Sequence, residues 1–421
     1  MTSPVVAYPG ALSAAGVAKE TAFGVLPGTY APIFAPVTES SIDPDPGIFY
    51  PEVMTGLRDL DIYALQGQIK IAGSLAGPLY PTSGAPMLLG AIGTDTGVGG
   101  ANPGGTQKVG TVTAVAVGAT SLTYVLVSGA APAIGDYFSL GVVGGTYGSA
   151  GAIAGNQVVV LTNVSGGGPY TLTVAALQFK VATTGNGGAG LNACSVIAPF
   201  THALTYSNTL PSFTVEKNTG GHQSIQYLGS KVNKLNLKCS ATNEAVTYQA
   251  DYMCQGYDVL DSPTAIILDQ SPPWVFAEAS LNVFGDSSVV NMSTFEANFD
   301  NGIKDVWTLN GTHELQFLVP ASFKASGTMT AVWTSFDDAD WGYFNKALSA
   351  TQGVLTASFT HPSNNKESLV LSFPQVNFTK YKDDLKTKDV VMSNLTWEAS
   401  YQFSSSTRFT AYLTNTVNTG Y

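Results

Sequence analysis

Charge is scarce in this chain: Asp, Glu, Lys and Arg make up only 11% of its 421 residues, and their balance is negative, at −11. A surface that holds nucleic acid by neutralising phosphates needs clustered lysine and arginine, so stable DNA binding is not expected. Cysteine is scarcer still. Cys194, Cys239 and Cys254 form no CxxC pattern and are odd in number, which argues against a disulfide framework and predicts buried free thiols. No run of about 18 apolar residues exists, so no membrane span is expected. The opening, MTSPVVAYPGALSAAG, lacks a basic segment followed by an unbroken apolar one, and synthesis in a cytoplasm is the expectation.

Catalytic chemistry is equally hard to find. The four histidines, His202, His222, His313 and His361, stand singly, and none has the spacing that puts two metal ligands on one helical face. The glycine-rich stretches do not end in Gly-Lys-Ser/Thr, and no Gly-x-Ser-x-Gly elbow occurs. Acidic pairs and triplets at Asp43/Asp45, Asp337/Asp338/Asp340 and Asp383/Asp384 lack the calcium-loop pattern and read as turn and cap residues. Neither an enzyme nor a cofactor is expected.

What the chain does have is glycine, 45 residues of it, set among Thr, Ser, Val, Asn and aromatics. This composition favours strands, and a 3.6-residue apolar period is rare, so the fold class is all-β with one or two short helices. The length calls for two or three domains. Two segments repeat: Gln68 to Leu75 (QIKIAGSL) and Ser322 to Met329 (SFKASGTM), which match Lys70 with Lys324 and Gly73 with Gly327. Upstream, Gly56-Leu57-Arg58-Asp59-Leu60 resembles Gly302-Ile303-Lys304-Asp305-Val306. Downstream, Pro86 to Leu89 and Trp341 to Phe344 could each begin a helix, the second preceded by acids suited to its N-terminus. Lys231 to Leu237 and Met392 to Trp397 alternate polar with apolar residues, as half-buried strands do.

Two pieces in the same order imply a duplicated domain. Between the copies, residues 97–198 carry only Lys108, Lys180 and Asp136 as charges and hold strands at Val109 to Val117, Leu122 to Val127, Gln157 to Leu161 and Tyr170 to Val174. Glycine runs at 97–105 and 185–190 read as hinges of an inserted small β-domain; the alternative is long loops of one larger sandwich. The expected layout is a first copy over 1–96 and 199–270, the insert over 97–198, and a second copy over 271–421. The Pro-rich segment up to about residue 50 reads as an arm for a neighbouring molecule.

Three stretches carry a family likeness. Gly16-Val17-Ala18-Lys19-Glu20-Thr21-Ala22-Phe23-Gly24 resembles the opening of tail tube proteins from long-tailed phages of actinobacteria. Leu210 to Lys217 (LPSFTVEK) resembles the strand that resumes the tube domain after an insertion, and Phe373-Pro374-Gln375-Val376 with Phe409 to Asn415 resembles the family's ending. The resemblance implies a duplicated tail-tube β-sandwich whose sheets join between subunits into a barrel. That barrel would be a ring of three pseudo-sixfold copies, or of six, stacked head to tail in the virion. Implied partners are further copies of the chain, the tape measure, tail terminator and distal tail or baseplate proteins, and DNA that passes without being held. An acidic channel wall would keep DNA from sticking. Asp59, Asp61, Asp305 and Glu314 flank the duplicated strand and are the candidate lumen-facing acids; the alternative places them outside or in ring-to-ring ion pairs. A different reading is a cell-surface binding module, because Gly/Thr/Asn-rich β-domains also recognise carbohydrate.

Overall fold

The computed structural model describes residues 13–28, 30–51, 64–96, 107–112, 121–128, 131–132, 134, 137–140, 157–174, 194–197, 200–219, 223–242, 244–268, 271–284, 292–309, 311–332, 343–361, 367–384, 390–415, 417 and 421. The chain opens with β1 (Ala14–Lys19), β2 (Ile33–Ala35), β3 (Glu39–Ser40) and β4 (Asp43–Asp45). A hairpin of β5 (Ile48–Phe49) and β6 (Leu65–Gln66) leads to β7 (Lys70–Pro78), helix α1 (Ala85–Ile92) and β8 (Gly93–Asp95). Six strands then form a closed barrel of their own: β9 (Gln107–Val112), β10 (Ser121–Ser128), β11 (Tyr137–Leu140), β12 (Gln157–Ser165), β13 (Tyr170–Val174) and β14 (Cys194–Ile197). The chain returns through β15 (Phe200–Tyr206), β16 (Phe213–Asn218), β17 (Ser224–Ser240), β18 (Thr247–Cys254) and β19 (Gly256–Leu260).

The second passage repeats this order. It runs through β20 (Ala279–Val283), β21 (Met292–Asp300), a hairpin of β22 (Lys304–Val306) and β23 (Phe317–Val319), then β24 (Lys324–Val332), α2 (Tyr343–Leu348), β25 (Gly353–Thr360), β26 (Ser368–Asp384), β27 (Met392–Ala399) and β28 (Thr410–Asn415). The all-β expectation holds, and the two helices stand where Pro86 and Tyr343 pointed. Trp341 and the acids Asp337, Asp338 and Asp340 lie outside the described residues. Asp383 and Asp384 stand at the end of β26, Asp43 begins β4, and Asp45 ends it.

Register makes the parallel between the passages physical. Gly73 on β7 faces Tyr252 on β18, and Gly327 on β24 faces Trp397 on β27. A bulge interrupts β17 between Val232 and Lys234 where it pairs with β18, and the same bulge interrupts β26 between Phe378 and Lys380 where it pairs with β27. Both long strands have 17 residues and change neighbours along their length, β17 from β16 and β19 to β18 and β21, and β26 from β25 and β28 to β27.

One correspondence read from the sequence needs correction. Asp45 faces Lys70 as Asp300 faces Lys324, and each aspartate accepts the N–H of the glycine two residues on, Gly47 at 3.0 Å and Gly302 at 2.9 Å. Both glycines are left-handed, with φ of 57° and 51°, as a tight turn leaving a strand requires. Gly47, not Gly56, is therefore the counterpart of Gly302; residues 56–60 lie outside the described residues. Of the arm expected over the first 50 residues, residues 1–12 lie outside the described residues. Ala14–Lys19 pairs with β16, and Glu39–Ser40 and Asp43–Asp45 pair with β7, because their backbone groups find ladder partners within the chain.

The layers close over one apolar core. Tyr252, Phe299, Phe373 and Trp397 are among its largest fully buried side chains, and Phe373 meets Trp397 edge-on at 4.8 Å between centroids. Helix α1 is buried along its whole length, so it shows no amphipathic period. The inserted barrel leaves from β8 and returns through β15, and these two strands pair with each other through Gly93 and Tyr206. It is thus spliced into the tip of an antiparallel pair. Tyr124, Leu161 and Leu172 are its buried side chains among those described.

Candidate assembly surface

A sheet running across both passages forms one layer of the sandwich. Its order is β3/β4, β7, β18, the end of β17, β21, β24, β27 and the end of β26, a ribbon of eight neighbours. Strict alternation along β21 shows how it is made. Phe295, Ala297 and Phe299 are buried in the core, while Thr294, Glu296, Asn298 and Asp300 point to the other face. That polar face is charged in an ordered way. Lys234 sits between Asp251 and Asp300 on the flanking strands, 3.5 Å from the latter. Asn236 donates to Glu296 and Asn298 at 2.6 and 2.5 Å. Lys238 lies opposite Glu296, and Lys324 reaches Glu398 at 3.2 Å.

Two of the acids named from the sequence, Asp305 and Glu314, sit elsewhere. Asp59 and Asp61 lie outside the described residues. Asp305 is on β22 and Glu314 in the turn that follows, beside Gly256, so both belong to the hairpin beyond the end of the sheet. That hairpin grips the first passage. Ile69 N–H donates to the His313 carbonyl at 2.9 Å, His313 Nδ1 lies 2.8 Å from the Gly67 carbonyl, and Lys70 pairs with Asp305 at 3.2 Å. The Trp307 indole N–H, then Lys70, hold the Asp305 carboxyl below its usual range. A depressed carboxyl stabilises the fold above its unfolded pKa, about 3.9, and that contribution is lost as pH falls through the folded value. Protection of the ladder-bonded β22–β23 amides, taken relative to the intrinsic exchange rate, should therefore fall on acidification before the rest of the sheet opens, and Asp305→Asn should abolish this pH dependence. An unchanged pH profile in the variant would rule out this role for Asp305.

The residues that sequence reasoning missed are Asp251, Glu296, Asp300 and Glu398. They are spread over three strands, β18, β21 and β27, that are distant in sequence, so no single motif advertised them. The alternation from Thr294 to Asp300 was the available signal.

The Gly16 to Gly24 motif folds into a buried clasp. The Glu20 carboxylate accepts Gly24 N–H and Gly229 N–H at 2.9 Å each and the Thr214 hydroxyl at 3.0 Å. Lys19 donates to the Tyr421 carbonyl, and Lys231 lies 5.0 Å over the Phe23 ring. Strands β1, β16 and β17 are tied together at this point.

Clefts offer little chemistry. A cavity of about 530 Å³ between β20 and β21 is lined by Phe276, Leu281, Met292, Phe295 and Cys239, whose thiol burial pushes up to about 11. Cys239 and Cys254 are free and buried, in agreement with the sequence. Among the described residues no group of three metal-binding side chains is gathered, and no helix is long and apolar enough to cross a membrane.

An all-β chain whose polar groups are laid out strand by strand over a sheet face, rather than converging in a cleft, is built as a structural component. The model of the family described as phage tail tube protein matches residues 10–399, and the chain belongs to that family. It is a structural protein of the bacteriophage virion, located in the tail. No curated protein matches it.

Proposed function

We propose that three copies of this chain join their long sheets into one closed barrel, that the resulting rings stack head to tail, and that DNA leaves the virion through the bore. The observation that carries this reading is the ribbon of eight strands spanning both passages, whose two outer edges are open among the described residues. Closure between copies would remove the edges that otherwise invite uncontrolled association.

Size favours three copies over six. At a strand spacing of about 4.8 Å and a tilt of about 40°, twenty-four strands close at a backbone radius on the order of 24 Å, and forty-eight at about 48 Å. The smaller ring guides a duplex; the larger leaves it loose. In this arrangement the polar face lines the channel. Its lysines are set beside Asp251, Glu296, Asp300 and Glu398, so phosphates meet neutralised cations and excess acid there instead of Asp305 and Glu314. The inserted barrel, on the tip of β8 and β15, would decorate the outside. The tape measure, terminator and distal tail proteins would cap the stack.

Electron microscopy of concentrated protein tests this. Hollow stacked rings with threefold symmetry are expected, and a chain lacking residues 97–198 should give thinner tubes of the same bore. Sixfold rings would exclude the three-copy barrel, isolated closed oligomers would exclude the tube, and loss of tubes on deletion would exclude the decorating role.

A further inference from the structure

The join inside the chain is a template for the join between chains, an inference that rests on the ring reading above. Within the chain, the end of β17 pairs with β21 so that Lys234 faces Asp300, Asn236 faces Asn298 and Lys238 faces Glu296. Each side of this join has a counterpart at an open edge. Matching the two bulges places Lys380 where Lys234 stands and Lys382 where Asn236 stands. Matching the Asp45–Lys70 and Asp300–Lys324 pairs places Asp45 at the position of Asp300 and Asp43 at that of Asn298. Among the described residues no strand pairs with the outer side of β4 or with the side of Phe378–Asp384 opposite β27.

We propose that β26 of one copy pairs antiparallel with β4 of a second copy in a single register, Lys380 facing Asp45 and Lys382 facing Asp43. Charge supports this occupant. Lys380 and Lys382 are exposed on the polar face without an ion-pair partner among the described residues, whereas Lys234 and Lys324 both have one. Left open, these two lysines would offer the passing DNA two cations per copy; the seam gives Lys380 an aspartate in Asp45 and sets Lys382 beside Asp43, which Lys217 of its own chain already pairs at 2.9 Å.

The backbone explains why the charges matter. Asn301 N–H donates to the Asn233 carbonyl at 2.9 Å, which fixes Leu235/Phe299 and Leu237/Ala297 as the ladder-bonded pairs of the internal join. Carried to the seam, those positions become Tyr381/Pro44 and Asp383/Ile42. Pro44 has no N–H to give. The Ile42 carbonyl already accepts from Lys217 Nζ at 3.1 Å and the Tyr227 hydroxyl at 2.8 Å. The ladder between copies is therefore one-sided, and the two ion pairs set both its register and much of its strength. An edge blunted by proline resists casual strand addition, which keeps free copies apart.

Two variants test the seam. Directly opposite residues in an antiparallel pair have Cβ atoms about 4.5–5.5 Å apart, close to the reach of a disulfide. Tubes of the Lys380→Cys/Asp45→Cys chain should therefore oxidise to covalent trimers on a non-reducing gel, while Lys380→Cys/Glu39→Cys should not. Lys380→Glu/Lys382→Glu changes only exposed side chains, so it should keep the wild-type melting temperature yet lose tube assembly at least tenfold. Wild-type tubes that form while the Lys380/Asp45 pair fails to cross-link, or charge-reversed chains that assemble as well as wild type, would overturn the seam and leave the tube standing. A wild-type chain that never assembles overturns the ring reading and the seam with it.

Discussion

Replacing Glu20 with alanine is expected to cost the folded chain about 3–5 kcal/mol, because the carboxylate is a buried acceptor for three donors and each charged hydrogen bond is worth about 1.5–3 kcal/mol. Only 6% of the residue is exposed, so water cannot replace what is lost. Two of the donors are backbone N–H groups, of Gly24 and Gly229, and the third is the fully buried Thr214 hydroxyl. Without the carboxylate the Gly229 and Thr214 donors are stranded in the interior, where an unsatisfied donor is costly, and the half-buried Gly24 N–H loses its partner too. Glutamine separates geometry from charge. Its oxygen can still accept from Thr214 and Gly229, but its amide nitrogen then faces Gly24 N–H, donor against donor. Urea unfolding should therefore rank wild type above Glu20→Gln and Glu20→Gln above Glu20→Ala. A cost below about 1 kcal/mol for alanine would show that the clasp contributes little.

How much of this was legible in the sequence depends on how each element is held. Strands β17 and β27 were readable over Lys231 to Leu237 and Met392 to Trp397, because one face is core and the other polar, and the period of two is written directly. Strand β4 was not. It has three residues, all exposed, with Pro44 in the middle, and it is a strand only because β7 lies beside it. That concealment explains the false match of Gly56 with Gly302. Gly47 has the same left-handed turn and the same aspartate two residues before it, but the prolines around it hide the resemblance to Asp300-Asn301-Gly302. The acids of the polar sheet face were missed for a related reason. A side chain's neighbours on a sheet face come from strands distant in sequence, so Asp251, Lys234 and Asp300 become a group only when register is known. Asp305 was singled out through that same match, as the partner of Asp59, and a sequence cannot show that β22 leaves the sheet and grips Lys70.

Gly73 and Gly327 were found as a repeated letter, and their physical role leads to the second large effect. A Cβ at Gly327 would lie 2.6 Å from Trp397 Cζ2 and closer still to the Glu296 carbonyl oxygen. Neither neighbour can yield. Glu296 belongs to β21, which is fixed by ladders on both sides, and the fully buried Trp397 ring is stacked on Phe295 at 6.1 Å and met edge-on by Phe373. Gly327→Ala should therefore destabilise the chain by about 3 kcal/mol, at the upper end of what overpacking costs. Gly73→Ala meets backbone alone, of Ser41 and Ile42 on the thin edge formed by β3 and β4, which has a ladder on one side only among the described residues. Its cost should be smaller in the monomer and should appear instead in assembly, because moving that edge displaces Asp43 and Asp45 from the seam. A double-mutant cycle with Trp397→Phe isolates the ring contact. In that background Gly327→Ala should recover about 1 kcal/mol, with the remainder due to the carbonyl. Equal costs for the two alanines in the monomer would mean that the edge is as rigid as the centre of the sheet, and an edge that rigid could not adapt to a second copy on ring closure.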